Sequence, residues 1–234
     1  MGPPASSLEL PGVGLRIAVV DSGVHAAHPH VNGVAGGVGI DDHAAEHDDY
    51  VDRLGHGTAV TAAIREKAPG ADVYAVKVFD RELSATAAAL AGAIRWARRR
   101  HVHLINLSLG TLNADHEAAI EWEVNAALAE GLVIVAAGPQ PGRRWLPGAL
   151  PGVVRVELDM TRPRDTCAIE ERDGQVTVRA CGYPRPIPGV PPERNLRGLS
   201  FAVANATGLL ARTWPAWPAA LLRYRDRWPS RSRR

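Results

Sequence analysis

The sequence predicts an α/β fold, a three-layer α/β/α sandwich in which a mostly parallel central sheet is covered by helices on both faces. Two observations support this prediction. Short apolar segments, typical of buried strands, alternate along the chain with longer segments of helical periodicity. Small or polar residues directly follow several of these apolar segments, at the positions where parallel strands are expected to end. The length of 234 residues predicts one domain over residues 1–234, with an N-terminal extension at 1–14 and a basic tail at 223–234.

The first elements place an aspartate and a histidine at element ends. The apolar residues 15–20 predict a buried strand that delivers Asp21 at its carboxyl end. Residues 24–54 have no clear periodicity and contain many Gly, His and Asp residues, so we interpret them mainly as loop. Small apolar residues at helical spacing then run from Gly57 to Ile64, which predicts a helix that begins at His56.

The later elements continue the alternation of strand and helix. Strands are predicted at residues 71–78, 103–108, 132–137 and 153–156, and helices at 85–100 (capped by Ser84), at 116–130 (ending at Gly131) and at 200–211, followed by a short amphipathic helix from 214. Because parallel strands end at one edge of their sheet, we expect Asp21, Ser108 and Gly138 to lie at the same edge.

Two cysteines flank a predicted hairpin. Alternating residues around an Asp-Gly pair predict two antiparallel strands between Cys167 and Cys181. The hairpin would bring the two sulfurs near each other, so a disulfide is geometrically conceivable. Two reduced thiols are the alternative, and we favour it for a protein of the cytosol. Two cysteines alone make no metal site.

Charge and hydropathy restrict the classes of partner. The net charge is +2 and the basic tail at 223–234 is interpreted as a solvated terminus, so no nucleic-acid partner is expected. No apolar run approaches the ~20 residues that a membrane span needs. Met1 is not followed by the pattern of a secretory signal. We therefore expect a soluble, cytoplasmic protein, and its oligomeric state stays open.

Three short segments carry residues of an activated nucleophile. They are Asp-Ser-Gly at 21–23, Gly-His-Gly-Thr at 55–58 and Gly-Leu-Ser-Phe-Ala at 198–202. A serine hydroxyl becomes a nucleophile when a histidine takes its proton and a carboxylate orients that histidine. One such segment alone is weak evidence, because Asp-Ser-Gly is usually only a turn and Gly-His-Gly only a tight bend. The ordered set of three is strong evidence for acyl transfer.

These motifs resemble those of the subtilisin-like serine peptidases, and the resemblance covers roughly residues 15–222. The three segments are similar to the aspartate, histidine and Gly-Thr-Ser-Met-Ala serine motifs of that family, with Leu and Phe substituted in the last. The resemblance implies a subtilisin-like fold, hydrolysis of peptide bonds, and a peptide or protein as substrate. It assigns the catalytic roles to Asp21, His56 and Ser200, with no metal and no organic cofactor.

The resemblance also implies where a substrate binds. Residues 105–110 resemble the strand whose backbone pairs with bound peptide, and residues 136–138 resemble the wall of the pocket for the residue before the cleaved bond. The implied substrate-binding residues are Ser108, Leu109, Gly110, Ala136, Ala137 and Gly138. The backbone N–H of Ser200 is implied as one donor to the oxyanion.

Position 139 departs from the family pattern. The family carries there an asparagine whose amide is the second oxyanion donor, whereas this chain has Pro139, which offers neither a side-chain donor nor a backbone N–H. Removing that donor from subtilisin costs about 10²–10³ in rate. Three alternatives follow: Gln140 supplies the amide, one backbone donor and water suffice, or the site no longer turns over. We favour Gln140 as the oxyanion candidate.

Two further features bear on metals and substrates. Residues 41–52 are rich in Asp, Glu and His, and we interpret them as a solvated acidic loop, with a metal site or a preference for basic substrates as the alternatives. The family's calcium-binding insertion is missing between Ile64 and Ala68. We therefore expect a small intracellular serine endopeptidase with a restricted processing role. The alternative function is a catalytically impaired fold that binds a peptide or a protein.

Overall fold

The computed structural model describes residues 10–80, 85–112, 117–138 and 144–214, and within them it has nine strands and four α-helices. The strands are β1 Arg16–Asp21, β2 Gly36–Ile40, β3 Glu46–His47, β4 Asp72–Lys77, β5 Leu104–Leu107, β6 Val133–Ala137, β7 Val154–Leu158, β8 Cys167–Arg172 and β9 Gln175–Ala180. The helices are α1 His56–Lys67, α2 Ala87–Arg99, α3 Glu117–Ala129 and α4 Leu199–Arg212. Every predicted strand and helix within these ranges is present.

All the described strands belong to one sheet, in the order β3-β2-β4-β1-β5-β6-β7-β9-β8. Only the pairs β2–β3 and β8–β9, at the two edges, are antiparallel. In the centre of the sheet, Val20 of β1 pairs with Leu107 of β5, and Leu107 pairs with Ala136 of β6. The carboxyl ends of β1, β5 and β6 therefore lie side by side, as the sequence predicts.

The two faces of the sheet bury two separate cores. Along β1, Ile17 and Val19 belong to the core formed with α1 and α4, whereas Ala18 and Val20 belong to the core formed with α2 and α3. This alternation follows from the two-residue period of a strand. The layers are thus helix, sheet and helix, and the predicted three-layer architecture is confirmed.

The interpretation of residues 24–54 as mainly loop was wrong for two strands, β2 and β3. Strand β2 is rich in glycine, which is rare in strands and hides the pattern. The structure gives a reason for this composition, because a Cβ on Gly37 would lie only 2.7 Å from the Ala75 carbonyl oxygen and 2.5 Å from Cγ of the Tyr50 ring. Close approach of β4 and Tyr50 therefore favours glycine there.

The start of α2 also differs from the prediction. Thr86 rather than Ser84 caps the helix, and its hydroxyl accepts a hydrogen bond from the Ala89 backbone N–H at 3.1 Å. The helix accordingly begins at Ala87, two residues later than predicted. Ser84 itself, residues 1–9 of the extension, and the region from residue 215 onward lie outside the described residues.

The cysteine hairpin is confirmed as β8 and β9, and both thiols are free. Cys167 lies opposite Ala180, and Cys181 is the next residue along the chain. Because neighbouring residues of an extended chain point to opposite faces, this register separates the two side chains. None of the described helices is long and apolar enough to cross a membrane.

Candidate active site

Asp21 ends the central strand β1 and lies fully buried. Its Oδ1 accepts hydrogen bonds from His56 Nδ1 at 2.7 Å and from the Ser22 backbone N–H at 2.8 Å. Its Oδ2 is also buried and has no hydrogen-bond partner in the described structure. A buried carboxylate bonded to one ring nitrogen fixes the tautomer of the imidazole and leaves Nε2 as the proton acceptor.

His56 is the first residue of α1, and a glycine after it brings the helix close to Asp21. A Cβ on Gly57 would overlap the Gly23 carbonyl oxygen and would lie 3.2 Å from Asp21 Oδ1. The Gly57 backbone N–H also donates to the Ser22 hydroxyl at 2.9 Å. The first turn of the helix can therefore rest directly on the end of β1.

The pKa of His56 is raised above its ordinary value of 6.5. Burial lowers this pKa, but the hydrogen bond and negative charge of Asp21, together with the charge of Asp52, raise it by more. The imidazole is the base only when it is neutral, so its basic form accumulates as the pH rises through this raised pKa.

Asp52 is a further residue of the site, and the three sequence motifs do not include it. It is 9% exposed, and the interpretation of the acidic segment as solvated is wrong for this residue. Its Oδ1 accepts from the Ser22 hydroxyl and from the backbone N–H groups of Leu54 and Gly55, and its Oδ2 accepts from the backbone N–H and hydroxyl of Thr58, all at 2.6–2.9 Å.

These hydrogen bonds connect the two elements that carry Asp21 and His56. Through Ser22, Asp52 holds the end of β1, and through Thr58 it holds the first turn of α1. Burial raises the pKa of Asp52, but the hydrogen bonds from Thr58, Ser22 and Leu54 lower it by more, so the net pKa is lowered. An aspartate just before a helix N-terminus was the one signal in the sequence for this role.

Ser200 lies in the first turn of α4, beside the carboxyl end of β5. Its hydroxyl donates to the Ser108 carbonyl oxygen at 3.3 Å. The ring centroid of the next residue, Phe201, lies 5.4 Å from that of His56, so the imidazole borders this turn. Before attack, the hydroxyl must exchange the Ser108 carbonyl for the imidazole. Active-site hydrogen bonds are often formed only with bound substrate.

The predicted substrate segments lie next to this serine. Residues 108–110 directly follow β5, and residues 136–138 end and follow the neighbouring strand β6. The Gly138 backbone N–H donates to the Val156 carbonyl oxygen at 2.8 Å, which fixes its place against β7. The structure thus brings both segments and Ser200 together, and their role in binding substrate stays a prediction. Pro139 and Gln140 lie outside the described residues.

Part of the exposed acidic segment forms ion pairs within the chain. Asp49 contacts Arg53 at 2.7 Å and Lys77 at 3.3 Å. The hydrogen bond from Arg53 is the main cause that lowers the pKa of Asp49 to about 2. In the described ranges, no group of three or more His, Cys, Asp or Glu side chains is arranged to hold a metal ion.

Comparisons with known proteins agree with this geometry. Residues 12–145, more than half of the chain, match the model of the Subtilase family, peptidase S8. A thermostable alkaline protease of Halalkalibacterium halodurans is 36% identical over 62% of this chain and 41% of its own length. Subtilisin Savinase of Lederbergia lenta is 28% identical over 96% of this chain and 81% of its own length.

A solved structure supports the fold. Sphericase superposes with a TM-score of 0.66 over 93% of this chain and 82% of that chain, at 24% identity. The chain spans less than two thirds of the length of several curated relatives, namely 41% of the thermostable alkaline protease and 58% of two further alkaline proteases.

Proposed function

The chain belongs to the subtilase family, and on that premise we propose that it is a serine endopeptidase that hydrolyses peptide bonds through an acyl-enzyme on Ser200. One observation carries the proposal. The buried Asp21 carboxylate holds His56 Nδ1 at 2.7 Å, at the sheet edge where Ser200 lies in the first turn of α4. A carboxylate, an imidazole and a hydroxyl at this edge are the groups that acyl transfer needs.

The first half of the reaction forms the acyl-enzyme. Ser200 Oγ attacks the carbonyl carbon of the peptide bond while His56 Nε2 takes the hydroxyl proton. Asp21 stabilises the imidazolium that results. The imidazolium then gives this proton to the departing amine as the C–N bond breaks, which leaves the acyl group on Ser200.

The second half releases the acyl group. Water attacks the ester carbon, His56 takes the water proton, and the same proton returns to Ser200 Oγ. In both halves negative charge develops on the substrate oxygen. The Ser200 backbone N–H is suited to stabilise it, because first-turn N–H groups have no carbonyl partner within their helix and lie at its positive end. Gln140 as the second donor stays a prediction.

We further propose a restricted processing role for this activity. Pro139 in place of the usual asparagine supports slow, selective processing of a protein or peptide over bulk digestion. A cytoplasmic location stays a prediction from the sequence. Cell fractionation with an antibody to the full chain measures it directly.

A different function, binding without turnover, is the alternative that the same substitution favours. In that case the fold would hold an extended peptide beside a serine that no longer reacts. The two functions differ in one measurable property, namely the nucleophilicity of the Ser200 hydroxyl.

A fluorophosphonate probe tests the proposed function, because it labels only activated serine hydroxyls. We expect the wild-type chain to be labelled at Ser200 and to cleave peptides, and Ser200→Ala to do neither. Heat-denatured wild-type protein is the control for non-specific labelling. If the folded wild-type chain is not labelled, the endopeptidase function is wrong and the binding function takes its place.

A further inference from the structure

Trp145 has an unusual environment close to the candidate nucleophile. Its indole Nε1 is buried and has no hydrogen-bond partner in the described part of the chain, although the ring is only partly buried as a whole. Buried indole N–H groups usually find a partner. Packing alone therefore does not explain why this position carries tryptophan.

The ring lies against the first substrate segment. A Cβ on Gly110 would overlap Trp145 Nε1, so the indole lies directly on the backbone of Gly110. The neighbouring residues Leu146 and Thr111 exchange two backbone hydrogen bonds of 2.9 Å, which fix the ring in this place. Gly110 is two residues from Ser108, whose carbonyl oxygen accepts the Ser200 hydroxyl.

The same stretch of chain also reaches the second substrate segment. A Cβ on Gly148 would overlap the Ala137 carbonyl oxygen and would lie 3.3 Å from Gly138 Cα. Residues 145–148 therefore cross from the segment after β5 to the segment after β6. They close the space between these two segments on the side where the indole lies.

The space between these two segments is adjacent to Ser200, so it can receive the side chain of an acyl group bound to this serine. The nucleophile contacts the first segment at Ser108, and the two segments run side by side because their strands are adjacent in the sheet. A large side chain in this space must displace the indole, and the residue that follows Trp145, Leu146, is held by two backbone hydrogen bonds to Thr111. Overfilling a packed site of this kind is unfavourable.

We propose that Trp145 determines substrate specificity by occupying the space for the residue whose carbonyl group is attacked. This proposal rests on the proposed function. The substrate class is then a peptide or protein with a small residue, glycine or alanine, immediately before the cleaved bond. Large aromatic and branched residues are excluded at that position.

Peptides that differ only in the residue before the cleaved bond test the proposal. We expect the wild-type chain to cleave an alanine peptide at least about tenfold faster, in kcat/KM, than the matching phenylalanine peptide. Trp145→Ala should lower this ratio by about tenfold or more, because it opens the space. Trp122→Ala is the matched control, since Trp122 lies on α3 with 74% exposure and should leave the ratio unchanged.

A binding measurement separates this proposal from the proposed function. In the Ser200→Ala background, calorimetry compares two product peptides, one ending in alanine and one in phenylalanine, and needs no turnover. We expect the alanine peptide to bind at least about tenfold more tightly. An equal or reversed preference, or no binding of either peptide, overturns the role of Trp145. If the wild-type chain is not labelled by fluorophosphonate, only the proposed endopeptidase function is overturned. If Trp145→Ala does not fold, the ratio of the two kcat/KM values of the wild-type chain and the affinities of the two product peptides still test the predicted preference for a small residue.

Discussion

At the scale of single residues, Asp52 couples the position of His56 to its charge. The carboxylate holds the end of β1 through Ser22 and the first turn of α1 through Thr58. Its negative charge also contributes to the raised pKa of His56. Asp52 does not touch the reacting atoms, so it is a positioning residue, and both of its effects can be measured separately.

We expect Asp52→Asn to shift the low-pH side of the pH–activity profile, where activity rises as His56 loses its proton, to lower pH. The variant removes a negative charge near His56, which lowers the pKa of the imidazole, so the neutral base persists at lower pH. It also replaces charge-assisted hydrogen bonds and should lower the free energy of unfolding by about 2–3 kcal/mol. The rate of fluorophosphonate labelling against pH and urea denaturation measure the two effects.

Asp48→Asn is the matched control, because it removes the same charge from an exposed position in the same segment. Its labelling profile and stability should stay close to wild type. If Asp52→Asn lowers stability but leaves the low-pH side of the profile in place, Asp52 has only a structural role.

Residue-scale prediction from the sequence is possible where the motif is local. Asp21, His56 and Ser200 each lie among small residues at a strand or helix end, and such patterns are visible in the sequence. Asp52 and Trp145 carry no such pattern. Their environments depend on burial and on contacts with Ser22 and Gly110, which only the folded chain creates.

At the scale of elements, the packing of α1 against α4 sets the distance between His56 and Ser200. Gly208 of α4 lies at this contact, where an added Cβ would lie 3.1 Å from Lys67 Cβ and 3.2 Å from Ile64 Cα. Ile64 Cα belongs to the backbone of α1, which cannot move to another rotamer as a side chain can. Any bulk added at Gly208 therefore pushes α1 and α4 apart.

Gly208→Ala should accordingly reduce both stability and activity. Alanine favours the helix by about 1 kcal/mol, but overpacking typically costs about 1–3 kcal/mol, so we expect a net loss of roughly 1 kcal/mol. A shift of a few tenths of an ångström between His56 and Ser200 should also lower kcat/KM about three- to tenfold. Thermal denaturation and peptide hydrolysis measure the two losses.

Gly92→Ala provides the matched control in α2, which carries no catalytic residue. Its Cβ would meet Ala44 Cβ at 3.1 Å and Ile40 Cγ2 at 3.2 Å, distances like those at Gly208. We expect a similar loss of stability with unchanged kcat/KM. Equal losses of kcat/KM in both variants would contradict a special role for the α1–α4 contact.

Element prediction was limited by glycine and by capping. The glycine-rich β2 has no strand pattern, because β4 and Tyr50 approach its backbone too closely for side chains at Gly37. The sequence predicts the start of α2 two residues too early, because Ser84 and Thr86 are both residue types that cap helices. Only the bond between Thr86 and Ala89 distinguishes them.

At the scale of the whole molecule, the alternation of strands and helices predicts the layers but leaves the strand order open. The central position of β1, between β4 and β5, follows from contacts that no local pattern encodes. The antiparallel pairing of β3 with β2 is also a feature that the sequence does not predict, whereas the hairpin of β8 and β9 is predicted from its Asp-Gly pair. That Asp21, Ser108 and Gly138 share one edge was still predictable, because all parallel strands end on the same side.

Charge balance across the molecule bears on its dependence on calcium. The acidic segment has many of its carboxylates already engaged within the chain. Asp49 pairs with Arg53 and Lys77, and Asp41 accepts the backbone N–H groups of His43 and Ala45. Calcium requires six to eight oxygen ligands, so it would have to displace these partners.

We therefore expect calcium to leave the melting temperature unchanged within about 1 °C. A calcium ion that bound only the folded state, at 100 times its Kd, would add about 2.7 kcal/mol, which corresponds to roughly 5–10 °C for a chain of this size. Thermal denaturation of the Ser200→Ala variant, which prevents self-digestion, compares millimolar calcium with EDTA. Sodium chloride at matched ionic strength controls for screening. A rise of several degrees with calcium alone would show a site that the acidic segment does not explain.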